Sequence, residues 1–253
     1  MANKKPLNGV SVLVTRPDHQ ADALCDLVES AGGKPIKLPM LEILPPQDED
    51  AARRKLSLVE QYDWLIFTSM NAAQGALRLA PENIQWPDNL ASIGSATAKM
   101  VRDVGIGDSI VPESGRSSEA LLQHPQFFDV EGKRILIIKG EGGRDLLSRA
   151  LLSRGASVDS VDVYRRVPAK IDPDHLEGLA DEADVMVITS GESLEQLASL
   201  TKSGRSALYS MQLVVPSQRV VQMAEELGFI CTPLVPKQIS DQAILDELIT
   251  WRK

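Results

Sequence analysis

The stretch VLVTRPDHQADALCDLVESAGG, starting at Val12, has a counterpart in ILIIKGEGGRDLLSRALLSRGA, starting at Ile135. Each is a short apolar run, a polar turn, a segment with helical spacing and a terminal glycine. Two further pairs follow the same logic. DWLIFTSMNAAQGAL from Asp63 is echoed by DVMVITSGESLEQL from Asp184, and LASIGSATAKMVRDVG from Leu90 by QLVVPSQRVVQMAEELG from Gln212. Gly32 then matches Gly155, Thr68 matches Thr189 and Gly105 matches Gly228, all at almost one offset. VPESGRSSEALL at Val111 also resembles VPKQISDQAIL at Val235. We read a tandem duplication of about half the chain, with a period far too long for a solenoid array.

The repeated unit limits the fold. Val10 to Val14, Leu65 to Thr68, Ser92 to Ile93, Ile135 to Ile138, Val185 to Thr189 and Leu213 to Val215 are short continuous apolar runs. Such runs suit strands buried on both faces of a parallel sheet. Between them the spacing is helical: Leu24, Leu27, Val28 and Ala31 line one face, as do Leu147, Ala150 and Leu151 in the second copy. Glycine after the last turn is the expected stop. Strands alternating with helices imply open parallel α/β sheets with right-handed crossovers. Lys34 to Pro46 and Ser157 to Pro168 instead alternate and carry prolines near their ends. They read as edge strands or connectors, and we take them as the hinge between lobes. By the repeats alone, the lobes would be the first and second halves.

The acidic balance, a formal charge of −8, argues against nucleic acid or an anionic membrane as partner. No apolar run reaches the ~20 residues of a membrane span. The start of the chain lacks the apolar core and cleavage site of a signal peptide, so the cytoplasm is the expected location. Cys25 falls on an apolar helix face and reads as core packing; Cys231 has no CxxC partner.

Ligands of open α/β sheets bind beyond the carboxyl ends of the strands. The residues there are small, hydroxylic, glycine or basic: Thr15 and Arg16; Thr68, Ser69 and Asn71; Gly94 and Thr97; Lys139, Gly140 and Arg144; Ser190; Ser217 and Arg219. Each set precedes a helix, where free N–H groups and the helix dipole attract anions. The same hydroxyls also serve as helix caps. Gly140–Gly143 matches neither a Walker loop nor G-x-G-x-x-G, so we read an anion-tolerant turn and not a nucleotide site. His19, His124 and His175 are scattered, and no metal-ligand spacing or nucleophile elbow is present. No metal or cofactor is therefore expected. Tyr164, beside Arg165 and Arg166, is a possible proton or hydrogen-bond donor. On residue type alone, an edge-strand tyrosine packing its ring is the favoured reading.

In VLVTRP, VESAGGKPIKLPMLEI, IFTSMNA, SIGSATA, IIKGEGGRDLL, RGASVDSVDVYRRV and VVPSQRV, taken in order, the chain resembles the uroporphyrinogen-III synthase family over nearly its whole length. The resemblance implies a different cut from the repeats. Residues 1–36 with 168–253 would form one discontinuous domain and 42–160 the other, with 34–46 and 157–168 as a two-stranded connector. The implied fold class is α/β: two similar open parallel-sheet lobes, doubly wound and flavodoxin-like. The implied reaction is dehydration and closure of hydroxymethylbilane to uroporphyrinogen III, with ring D inverted through a spiro intermediate. Tyr164 occupies the position of the tyrosine proposed to help the hydroxyl leave. The strand-end residues above would contact the carboxylates of this linear tetrapyrrole in a cleft between lobes. Where relatives carry a Gly-Pro-Thr-like turn, this chain has Ser217-Gln218-Arg219. A transient contact with hydroxymethylbilane synthase and a monomeric state are also expected. A two-lobed solute receptor and a nucleotide-sugar glycosyltransferase are competing classes. The missing signal peptide weighs against the first, and the likeness of the two lobes weighs against the second.

Overall fold

A computed structural model of the chain describes residues 5–115, 117–143, 145–201, 206–238 and 240–252, apart from the side chain of residue 19. The first elements are β1 (Ser11–Val14), α1 (Asp18–Ser30), β2 (Lys34–Lys37), β3 (Leu41–Leu44), α2 (Glu49–Leu56), β4 (Trp64–Phe67) and α3 (Met70–Leu79). Then come β5 (Leu90–Ser92), α4 (Ser95–Asp103), α5 (Ser118–Leu121), β6 (Arg134–Gly140), α6 (Leu146–Ser153) and β7 (Ser157–Pro168). The last are α7 (Pro173–Glu182), β8 (Val185–Val187), α8 (Gly191–Leu200), β9 (Gln212–Val214), α9 (Gln218–Leu227) and α10 (Asp241–Arg252).

The chain forms two compact units, 1–42 with 167–253 and 43–166. The first holds a four-stranded sheet in the order β2-β1-β8-β9, and the second a five-stranded sheet in the order β3-β7-β6-β4-β5. The pairings β1–β2, β1–β8, β8–β9, β4–β5, β4–β6 and β6–β7 are all parallel. Of the segments read as hinge strands, Lys34–Lys37 is the edge of the first sheet, where Pro35 is tolerated. Leu41–Leu44 and Ser157–Pro168 lie side by side in the second sheet.

Both sheets are covered on both faces, as continuous apolar runs require. In the first unit, Leu13, Met186 and Leu213 pack on one side against Leu194, Leu197 and Val220. Their strand neighbours Val12, Val14, Val185 and Val187 pack on the other against Leu24, Val28, Ile244 and Leu248. In the second unit, Leu65, Phe67, Leu136 and Ile138 meet Ala72, Ala76 and Leu79. Trp64, Ile66, Ile135 and Ile137 face Phe127, Leu147 and Leu151. Cys25 is part of the first unit's core, and burial pushes its thiol pKa up, which suppresses the reactive thiolate.

The repeats are present, but they do not form the units as sequence halves. β1 and β2 correspond to β6 and β7, and β4 and β5 to β8 and β9. Each sheet combines one pair from each copy, so β1 lies against β8 and β6 against β4. The correspondence extends beyond the strands. Ala91 bridges Ile110 and Val214 bridges Leu234, at matching places after β5 and β9. The paired glycines also share one backbone shape: φ is 89° at Gly32 and 84° at Gly155, in the left-handed region that a side chain disfavours.

Candidate active site

The strand ends of the second unit converge because β6 lies between β7 and β4. β4 runs into Thr68 and Ser69, and Ser69 caps α3 by accepting the Ala72 N–H at 3.0 Å. β6 ends at Lys139 and Gly140. Between these two residues the β6–β7 register shifts: Lys139 pairs with Asp162, but Gly140 pairs with Tyr164. The extra residue re-aims the strand, as a bulge does, and brings Tyr164 opposite the one position in β6 without a side chain. A Cβ on Gly140 would lie 2.5 Å from Tyr164 Cζ. Gly140 therefore seats the tyrosine ring, and this close approach is the reason for a glycine here.

The ring is buried, at 5% exposure. Ser69 Oγ donates to Tyr164 Oη at 3.1 Å, and Arg166 Nη1 donates to the same oxygen at 3.1 Å. The Arg166 guanidinium carbon stands 5.8 Å from the ring centroid. A hollow of about 280 Å³ opens beside them, lined among others by Thr68, Ser69, Lys139, Gly140, Tyr164 and Arg166. The Ser69 hydroxyl accepts the Ala72 N–H and donates its own proton to the phenol. Arg166 can only donate. Both neighbours fill acceptor positions of the phenol oxygen, which leaves the Tyr164 proton available to a group in the hollow.

Other expected contacts are placed less favourably. Thr68 lines the hollow, but its hydroxyl donates to Ile138 O at 3.2 Å. Lys139 Nζ donates to Gly142 O at 3.0 Å and lies 2.9 Å from Asp162 Oδ1, close in distance but outside hydrogen-bond geometry. Its charge is thus already matched. Asn71 is half-buried in the first turn of α3. Gly94 is the extended N-cap of α4, and Thr97 is 6% exposed in that helix. Arg144 lies outside the described residues.

Thr15, Arg16, Ser190, Ser217 and Arg219 belong to the first unit, not to this hollow. Thr15 is fully buried and its hydroxyl donates to Val187 O at 2.9 Å, tying β1 to β8. Arg16 is paired with Asp241 in the first turn of α10. Burial encloses the Thr15 and Thr97 side chains, and an ion pair occupies the Arg16 guanidinium. Ser190 caps α8 by accepting the Ser193 N–H at 3.1 Å. Ser217 begins α9 without a side-chain cap bond, and Arg219 beside it is exposed. Ser117 and Ser118, not anticipated from the sequence, also line the hollow. The only hint of them was the repeat shared by the segments from Val111 and Val235.

Among the described residues no group of three or more His, Cys, Asp or Glu could hold a metal. Nor is any described helix long and apolar enough to cross a membrane. The class defined by this fold is a two-unit α/β protein with a parallel sheet in each unit and a polar hollow beside the ends of β4 and β6 in the second. The architecture matches solved structures of uroporphyrinogen III synthases. That from Helicobacter pylori gives a TM-score of 0.63 at 15% identity, covering 96% of this chain and 99% of the other. A mutant from Thermus thermophilus gives 0.59 at 15% identity, covering 97% and 100%. In sequence, the uroporphyrinogen-III synthase of Escherichia coli is 32% identical over 227 residues, 87% of this chain and 92% of its own. That of Salmonella typhimurium is 33% identical over 233 residues, with the same coverage. The family model for uroporphyrinogen-III synthase HemD matches residues 22–246. The chain belongs to the uroporphyrinogen-III synthase family, enzymes of tetrapyrrole biosynthesis.

Proposed function

We propose that the chain converts hydroxymethylbilane to uroporphyrinogen III, with Tyr164 as the proton donor to the departing hydroxyl. The observation that carries the assignment of Tyr164 is the phenol at the hollow, its oxygen already accepting from Ser69 and Arg166. The ring A hydroxyl leaves as water with a proton from Tyr164 Oη, and the pyrrole nitrogen's electrons form the azafulvene cation. Ring D attacks that carbon through its substituted α-carbon, giving the spiro intermediate. The bond from that α-carbon to the ring C methylene then breaks, and ring D's unsubstituted α-carbon bonds to the freed methylene, so that the ring is inverted. The proton this carbon loses returns to the Tyr164 phenolate. The electron-rich pyrrole expels hydroxide readily, so the enzyme needs no strong nucleophile. Orientation of ring D is its larger contribution.

The substrate is a polycarboxylate. In this reading Ser69, Asn71, Gly94, Lys139, Gly140 and Arg144 in the second unit, and Ser190, Ser217 and Arg219 in the first, supply N–H groups, hydroxyls and positive charge to carboxylates. On an acidic protein such contacts act at short range, since net charge opposes long-range attraction. The enzyme works as a monomer in the cytoplasm and receives its substrate in transient contact with hydroxymethylbilane synthase.

The test is to incubate the protein with porphobilinogen and hydroxymethylbilane synthase, oxidise the products and separate the porphyrin isomers. Type III product is expected; type I alone overturns the reading. Tyr164→Phe is expected to lower kcat by about 10²-fold, at the low end for general-acid catalysis, and to leave the fold intact. Unchanged turnover removes Tyr164 from the mechanism.

A further inference from the structure

We infer that Arg166 is the positioning residue for Tyr164. It fixes the phenol oxygen so that the proton of Tyr164 faces the substrate and steadies the negative charge that develops as that proton moves. The inference rests on the proton-donor reading above.

Three features of the structure support it. Arg166 Nη1 reaches Tyr164 Oη at 3.1 Å, so the guanidinium touches the atom assigned to proton transfer. The two residues are two apart on β7, and the guanidinium also approaches the aromatic ring, 5.8 Å from its centroid. Arg166 thus holds both the rotation of the phenol and the charge beside it. The third is the donor set. A phenol oxygen can send its proton toward any nearby acceptor, but here both protein neighbours donate. Ser69 is itself a donor to the phenol oxygen and Arg166 has no acceptor capacity, so in this arrangement neither contact takes up the phenol proton. A planar guanidinium with several fixed donors suits the task better than an ammonium.

Since Arg166 also lines the hollow, it could instead grip a substrate carboxylate directly. The two roles differ in a measurable way. A carboxylate clamp acts on substrate binding whether or not the phenol is present. A positioning residue acts on turnover, and only through the phenol.

The experiment is a double-mutant cycle with Arg166→Met, Tyr164→Phe and the double variant, measuring kcat and KM for hydroxymethylbilane and the isomer ratio. Arg166→Lys is added as the conservative variant, and Arg166→Gln replaces Arg166→Met if the latter fails to fold. Arg166→Met is expected to lower kcat about tenfold or more, with KM changed less than about twofold. In the Tyr164→Phe background the same change is expected to lower kcat by less than about twofold, and Arg166→Lys is expected to recover part of the loss. An equal loss in both backgrounds, or a loss confined to KM, overturns the inference and leaves Tyr164 as donor intact. A Tyr164→Phe enzyme with normal kcat overturns the donor reading and this inference with it.

Discussion

Gly140→Ala tests whether the seat of the tyrosine ring controls the chemistry. The added Cβ would stand 2.5 Å from Tyr164 Cζ and 2.8 Å from each Cε. Ordinary contact begins near 3.4 Å, so the ring must move by about 1 Å or the β6 backbone must yield. Gly140 does not adopt a positive φ, so alanine brings no backbone strain of its own. It even removes some unfolded-state freedom, an effect of about 0.4–1 kcal/mol in favour of folding. Overpacking opposes this by about 1–3 kcal/mol. The net stability loss is therefore at most about 2.6 kcal/mol, below the ~5–15 kcal/mol of a typical domain, so the variant is expected to remain folded. The functional loss is expected to be much larger, because a ~1 Å displacement of a reacting group costs on the order of 10²-fold in rate. The assay is kcat with the type III to type I ratio, alongside a denaturant melt. Gly132→Ala is the control: its φ of 70° makes alanine strained, but nothing lies within 4 Å. It should lose about 1 kcal/mol of stability and no turnover. In a Tyr164→Phe background, Gly140→Ala should reduce kcat little further. Wild-type kcat in Gly140→Ala, or a full loss in the Tyr164→Phe background, refutes the reasoning.

Further outcomes follow from other contacts. Ser69→Ala removes both the α3 cap and a donor to Tyr164. It should cost about 1 kcal/mol in a denaturant melt, together with a fall in kcat. Arg219→Ala should raise KM for hydroxymethylbilane with kcat held, and an unchanged KM removes it from substrate binding. Asp159 accepts from Lys55 and Tyr62, and these bonds, Lys55 first, hold its pKa below the ordinary 3.8. Its stabilising contribution is present above that value and is lost as pH falls through the depressed pKa. Asp159→Asn should therefore weaken the protein near neutrality and match the wild type in strong acid, as read from stability against pH. Tyr62 is pushed up to about 12, by burial and then by its bond to Asp159. The unfolded chain releases this proton near pH 10, so stability from Tyr62 is complete below that pH and lost toward 12. Tyr62→Phe should flatten the alkaline decline, and an unaltered decline would exclude Tyr62 as its source.

The strands were legible because a parallel sheet buried on both faces needs only short apolar runs, and Val12–Val14 or Ile135–Ile138 can satisfy it without long-range information. The stops at Gly32 and Gly155 were legible for a similar local reason. Which strands share a sheet was not. The pairing of β1 with β8 instead of a strand from its own half depends on crossovers between residues more than a hundred positions apart. The same boundary runs through the site. Tyr164 was singled out by family resemblance, whereas its residue type allowed a packed edge-strand tyrosine. Gly140 read as a turn that tolerates anions, yet the structure shows it receiving an aromatic ring. What separates the two readings is a one-residue register shift after Lys139, and a shift of that kind depends on the partner strand. Thr15 and Ser69 show the same limit from the other side. Both are hydroxyls just beyond a strand, but one is buried against Val187 and the other reaches Tyr164. Residue type at a strand end establishes what chemistry is available there, while cross-strand register decides which of those groups can meet a substrate.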